Sequence, residues 1–282
     1  MMLIIDNILS AITYLAAAFL LFYIGKLVYQ LFNRQINMKD ELVEKDNFAF
    51  AIAHAGYFVG LLLAIGSAII GPSHGLVNDL IDIFLYGIIA IVLLNVSLFI
   101  NDKVILRKFS LTKEIITDRN EGIGVVQAAN AIATGLIIMG AVSGEGGGII
   151  TALVFWAIGQ VVMIITTRVY NWITPYDIHD HLEKDNVAIG IGYAGALVAL
   201  GNLIRFGLMD DFESWTITLS NVGIEVVLGL ILLPVVRFLT DKILLPGQKL
   251  TDELTQDKPN LGAGLIEAFA YIGGSVLITW CI

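Results

Sequence analysis

Charge is what this sequence has least of. Only 15% of its 282 residues are Asp, Glu, Lys or Arg, while 57% are hydrophobic and the mean hydropathy is +0.83. A water-soluble domain needs a far more polar surface. Basic residues are the scarcer sign, 16 against 25 acidic, for a net charge of −9. That leaves no basic face for nucleic acid. The one cysteine, Cys281, excludes an internal disulfide. No basic segment precedes the first apolar run. Asp6 is acidic, and the run continues past Ala16-Ala17-Ala18, so it reads as a retained helix rather than a cleaved signal. No Ser/His/Asp or Cys/His arrangement stands out. The glycine-rich stretch Gly144–Gly148 has no P-loop lysine. Asp177-Ile178-His179-Asp180-His181 has metal-ligand residue types at a spacing that suits no standard zinc site. Nothing here calls for an enzyme activity, a metal or a cofactor.

Long apolar runs are what the sequence has instead. A hydrocarbon core ~30 Å thick needs ~20 apolar residues per helix. Eight such runs occur, at 8–32, 47–70, 80–101, 120–141, 149–171, 186–205, 215–239 and 260–282. The expected fold is therefore an all-α polytopic transmembrane bundle. The segments after the first, third, fifth and seventh runs, with the adjoining helix ends, hold 15 of the 16 basic residues, Arg205 being the exception. The positive-inside rule puts these four linkers in the cytoplasm, and both termini outside.

The linkers repeat one pattern, an acidic–apolar pair followed by asparagine and a small residue. They read Glu41-Leu42 to Asn47, Glu114-Ile115 to Asn120, Leu182-Glu183 to Asn186, and Glu253-Leu254 to Asn260. The first and third share Glu-Lys-Asp-Asn at 44–47 and 183–186, and the second and fourth share Asp-Lys at 102–103 and 241–242. The chain divides into two tandem halves, 1–145 and 146–282, each of two helix pairs. An even number of spans per unit makes the copies parallel, unlike the inverted repeats of many transporters. Asn47, Asn120, Asn186 and Asn260 are expected to cap helix N-termini.

This motif, carried best by Glu44–Ala49 and Glu183–Ala188, resembles the YjfL-like bacterial inner-membrane proteins, domain-of-unknown-function family 350, in a doubled, four-repeat version. The resemblance covers nearly the whole chain and implies the bacterial inner membrane. It brings no catalytic residues. Some relatives are thought to work alongside membrane-stress proteins, which implies a partner-binding role.

Counting from each asparagine compares side chains within the chain. Offsets of two, four, eight and thirteen hold only Ala or Gly, for example Ala49, Gly122, Ala188 and Gly262 at two. At 100° per residue these lie on two faces of the helix. Small residues let helix backbones approach in lipid, so the even-numbered spans should form an inner layer. A four-fold ring is one arrangement, and two separate bundles the other. At offset seven stand His54, Gln127, Tyr193 and Glu267, ~10 Å inside the helix start. Asp82 and Glu225 suggest a second polar layer towards the opposite face.

Two functions are in play. A scaffold or adaptor would present the charged linkers to a cytoplasmic protein partner. A proton or small-cation channel or transporter would use the intramembrane polar residues, because ionisable groups there are expensive. Apart from the lipid bilayer and such a partner, the exposed faces of the odd helices leave room for homo-oligomerisation.

Overall fold

The computed structural model describes residues 2–71, 73–104, 112–143, 147–245 and 247–281. Arg107, Lys108, residues 144–146 of the glycine-rich loop and Ile282 lie outside them. Among the described residues ten α-helices follow in order: α1 (Met2–Phe32), α2 (Phe48–Gly66), α3 (Leu76–Val104), α4 (Glu121–Ser143), α5 (Ile149–Ile173), α6 (Ile178–Glu183), α7 (Val187–Leu208), α8 (Trp215–Leu239), α9 (Leu250–Thr255) and α10 (Leu261–Cys281). All but α6 and α9 are long and apolar enough to cross a membrane. Single π-helical turns, 40–44, 113–117 and 240–244, lie in three of the four linkers. The third span runs further than its apolar composition suggests. Asn101, expected as its edge, is fully buried three residues before the end of α3.

The core is a row of the four glycine- and alanine-rich helices, α2, α4, α7 and α10, in that order. Helices α1 and α3 pack along the α2 end, α5 along α4 and α7, and α8 along α7 and α10. The two small-residue faces explain the row. The offset-four residue of each repeat meets the offset-two backbone of the repeat before it. A Cβ on Gly124 would stand 2.6 Å from the Ala49 carbonyl oxygen, and one on Gly190 2.7 Å from that of Gly122. Gly264 meets the Ala188 carbonyl in the same way. Contacts this close exclude a larger side chain.

The row is open, so the expected ring does not form. Helices α2 and α10 sit at its two ends. The terminal repeats also carry bulk where inner repeats carry none. Offset nine is Gly56, Ala129 and Gly195, but Phe269 in the last repeat. Offset fifteen is Gly135 and Gly201 inside, but Leu62 in the first. Phe269 and Leu62 stand exposed on the outer faces, where they hold any further helix away. Nor are there two separate bundles, because α4 packs on α7 as closely as on α2.

The linkers line one face of the row. Each asparagine caps its helix as expected, its Oδ1 accepting from the amide three residues on: Phe50 (3.1 Å), Ile123 (2.9 Å), Ile189 (3.0 Å) and Ala263 (3.2 Å). The other end of the amide does something the cap reading did not include. Asn47 Nδ2 donates to the Ile115 carbonyl at 2.9 Å, Asn120 to Leu182 at 2.6 Å, and Asn186 to Leu254 at 2.8 Å. Each linker is thus stitched to the next. Asp185 adds a second stitch, accepting from the Gly122 amide at 3.0 Å. Asn260 departs from this pattern and donates to its own Glu253 at 2.8 Å.

The residue before each of the first three asparagines has positive φ: Asp46 (48°), Arg119 (53°) and Asp185 (56°). Such a conformation costs a non-glycine residue about 1–2 kcal/mol, which the cap and the stitch offset. The fourth linker has Pro259 there, whose ring forbids it. Two equivalent carboxylates also diverge. Burial alone would raise Glu41, but donation from Lys45 and Asn47 holds it below the usual range. Glu114 has Asp118 where Glu41 has Lys45, and burial raises it despite the adjoining Lys113.

Glycine at the contacts, not glycine in helices generally, should govern stability. Gly190→Ala is expected to lower stability by about 1–3 kcal/mol through overpacking. Gly223→Ala, where a Cβ meets nothing within 4 Å, should be neutral or raise it by up to ~1 kcal/mol. Thermal melts of the two purified variants make the comparison. Equal losses would contradict the packing described.

Candidate functional site

Polar side chains inside the spans collect at separate places rather than in one layer. The most developed lies in the second half. Glu267 of α10 is fully buried. Its Oε1 accepts from Arg237 Nη1 of α8 at 2.9 Å, and from the hydroxyls of Tyr170 of α5 and Tyr271 of α10, each at 3.4 Å. Arg237 Nη2 donates to Thr251 Oγ1 of α9 at 3.1 Å, and its guanidinium lies over the Tyr176 ring, 5.4 Å from the centroid. Tyr193 of α7 stacks on Tyr170 at 5.2 Å. The carboxylate closes against Gly192, where any Cβ would strike Oε2. Burial, with the Glu267 carboxylate adding to it, pushes the Tyr176 phenol up to about 12, so it stays protonated.

An ion pair here resolves the cost of each charge. Either group alone in a low-dielectric interior would be heavily penalised. Paired, and met by hydroxyl donors, they form a neutral unit. Arg237 also ties this intramembrane unit to the fourth linker through Thr251.

The first half places its offset-seven residues differently. His54 sits in an aromatic box, its ring 4.3 Å from Phe58, 5.0 Å from Tyr29 and 5.3 Å from Phe50 between centroids. Its buried Nδ1 has no partner among the described residues. Gln127 Nε2 donates to Asp102 Oδ1 of α3 at 3.4 Å, and its Oε1 is buried with no partner among the described residues. So Tyr193 and Glu267 meet through Tyr170, whereas His54 and Gln127 share only the neighbourhood of Tyr29. The four do not form a continuous relay.

The second expected layer separates too. Asp82 is exposed and lines a cavity of about 210 Å³ on the face opposite the linkers, with Tyr14, His74, Asp79, Tyr86 and Asp210. Glu225 is buried in α8 against Gly207, outside that cavity.

Two features went unread in the sequence. Arg237, at the end of the 215–239 run, counted only as a topology-setting charge, with no link to Glu267. The other is an uncharged set joining α3, α4 and α5: Asn101 Nδ2 donates to Asn130 Oδ1 at 2.8 Å and to Gln160 Oε1 at 3.4 Å. Trp156 Nε1 donates to Ser97 Oγ nearby at 2.7 Å. Such amide bonds hold helices in register, at about 0.6 kcal/mol each. The Asp177 segment is a helix start, its carboxylate accepting from the His179 amide at 2.9 Å.

Residues 2–142 and 146–282 each match the model of the family described as Domain of Unknown Function (DUF350). The chain belongs to that family. Two matched stretches in one chain fit a doubled version of the family unit. The chain is also similar to the UPF0719 transmembrane protein of Aquifex aeolicus (strain VF5), 22% identical over 251 residues, 88% of this chain and 90% of that one. No solved structure matches.

The two halves supply a test of the ion pair. At the 139-residue offset Arg237 corresponds to Leu98, and counted from the asparagines Glu267 corresponds to Gln127. Arg237→Leu alone should destabilise by about 3–5 kcal/mol, since it strands a buried carboxylate. Adding Glu267→Gln, which installs the first half's pair of residues, should restore most of the loss. A double-mutant cycle of denaturation in detergent reads the coupling, and additive losses would show that the pair is not a unit.

Proposed function

We propose that this DUF350-family chain is a membrane scaffold whose linker face, turned to the cytoplasm, presents a rigid row of mixed charge to a protein partner. The observation that carries this is the series of asparagine stitches. Three hydrogen bonds join the four linkers end to end, so charges on separate linkers hold fixed relative positions. Exposed side chains of both signs alternate along the row, among them Lys39 with Glu44 at 3.7 Å and Lys113 with Asp118 at 3.1 Å. Mixed charge suits a protein surface, whereas anionic lipid attracts basic clusters.

The intramembrane groups support this reading over ion conduction. Glu267 is closed in by Arg237 and two tyrosines. The cavity beside Asp82 belongs to the opposite face and does not include Glu225 or any offset-seven residue.

In-cell photo-crosslinking from the linkers tests the proposal. Reversing Lys39, Lys113 and Lys184 to Glu should abolish a specific crosslink that Glu267→Gln and Glu225→Gln retain. Liposomes containing the wild-type protein should pass no protons beyond the lipid background. A crosslink that survives scrambled linkers would overturn the scaffold. So would proton flux that the wild type shows and Glu267→Gln or Glu225→Gln loses, and that result would establish a conducting protein instead.

A further inference from the structure

The two halves differ most sharply where the second carries its buried guanidinium. Four residues define that place: Arg237, Glu267, Thr251 and Tyr271. Their counterparts in the first half are Leu98, Gln127, Thr112 and Ala131. The first and third follow from the shared runs Asp-Lys at 102–103 and 241–242 and Leu-Thr at 111–112 and 250–251. The other two follow from the offsets seven and eleven beyond the repeat asparagines. In the second half these side chains fill the space. In the first half all four counterparts line a cavity of about 60 Å³. Leucine in place of arginine and alanine in place of tyrosine account for the opening.

The cavity wall is built for a cation. Asp102 of α3 contributes a carboxylate, whose hydrogen-bond donor among the described residues is Gln127 at 3.4 Å. The Gln127 Oε1 is buried and has no donor among the described residues. Tyr29 and Tyr57 contribute aromatic walls, and Asn33 and exposed Thr112 stand at the side facing the linkers. The nearest ammonium in sequence, Lys103, lies over the Phe99 ring, 5.9 Å from its centroid, and is not among the lining residues. A volume of this size holds about four waters, or one small planar ion.

We propose that this cavity binds a small organic cation of the guanidinium class. The template is internal to the molecule. In the second half a guanidinium donates to a carboxylate at offset seven and to a threonine of the linker, and lies over a tyrosine face. The first half offers the amide oxygen of Gln127, the hydroxyl of Thr112, the carboxylate of Asp102 and two tyrosine rings around the corresponding space. A planar fork of N–H donors matches a carboxylate and an amide oxygen together, and its face gains from the aromatic walls. A compact inorganic ion has no planar fork of donors to match the carboxylate and the amide oxygen together. The site opens towards the linkers, so its ligand comes from the side on which the scaffold partner would dock, although neither proposal depends on the other.

The test uses the purified full-length protein in detergent, with guanidinium chloride at low millimolar concentration as probe. Sodium chloride and potassium chloride at the same concentration are the comparisons. Calorimetry should show saturable guanidinium binding, accompanied by a rise in melting temperature, as expected of a ligand that binds only the folded state. Asp102→Asn should weaken it at least about tenfold, the loss of one charge-assisted bond. Leu98→Arg, which writes the second half's own guanidinium into the cavity, should abolish the response and raise the melting temperature without ligand. Asp241→Asn, at the counterpart of Asp102, should leave binding intact. Absence of saturable binding to the wild type would overturn the proposal. So would binding unaffected by both Asp102→Asn and Leu98→Arg, or an equal response to sodium or potassium.

Discussion

Everything in this structure depends on the near-contact of four helix backbones in lipid. Lipid tails are as apolar as leucine, so no hydrophobic force drives helices together inside the bilayer. Dispersion and hydrogen bonds must do it, and both need atoms at close range. The chain meets that requirement by deleting side chains along two faces of α2, α4, α7 and α10. Gly124 against Ala49 and Gly190 against Gly122 are two of these close points. Because the same small positions recur in each repeat, each interface copies the last. The linkers inherit that spacing, which lets one asparagine amide serve two repeats at once.

Against this regular frame the two halves have diverged in how they treat buried polarity. The second half places Glu267 and Arg237 together and encloses them with tyrosine hydroxyls. The first replaces the pair by Gln127 and Leu98, and Gln127 donates instead to Asp102, a carboxylate whose counterpart in the second half is Asp241. A neutral glutamine costs less to bury than an unpaired glutamate, so losing the arginine and losing the glutamate belong together. What remains in the first half is a smaller, less satisfied site with room in it. Further towards the middle of the spans, Asn101, Asn130 and Gln160 hold α3, α4 and α5 together without any charge. The molecule therefore combines a stiff scaffold with local polar variation, and the variation does not add up to a continuous path.

The spans, their number and the inner place of the even helices were legible because lipid makes composition and small-residue spacing nearly sufficient. The caps were legible too, since Asn before an apolar helix has one dominant use. The second hydrogen bond of Asn47, Asn120 and Asn186 was not, because its acceptor lies 62 to 68 residues away and depends on which repeats become neighbours. Arg237 was missed for a related reason. A charge near a helix end counts towards topology, and only tertiary packing turns it back onto Glu267. The open row was in principle readable. Leu62 and Phe269 break the small-residue pattern at the two terminal repeats, and that departure is the signal that the series stops. Of the site residues, Glu267 and Tyr193 come together through a tyrosine on a third helix, while Asp82 and Glu225 end far from a shared function. Helical periodicity places a residue on a face but does not name what packs there.

The central claim is that the linkers are mechanically joined in series, and hydrogen exchange of the full-length protein tests it most directly. Asn120→Ala should speed exchange at its own helix start, around Ile123, and also in the third linker, where Leu182 loses its donor. Asn260→Ala, with no following linker to hold, should speed exchange only around Ala263. If the effect of Asn120→Ala stays within its own linker, the stitches do not couple the repeats, and the rigid face proposed for the scaffold is gone.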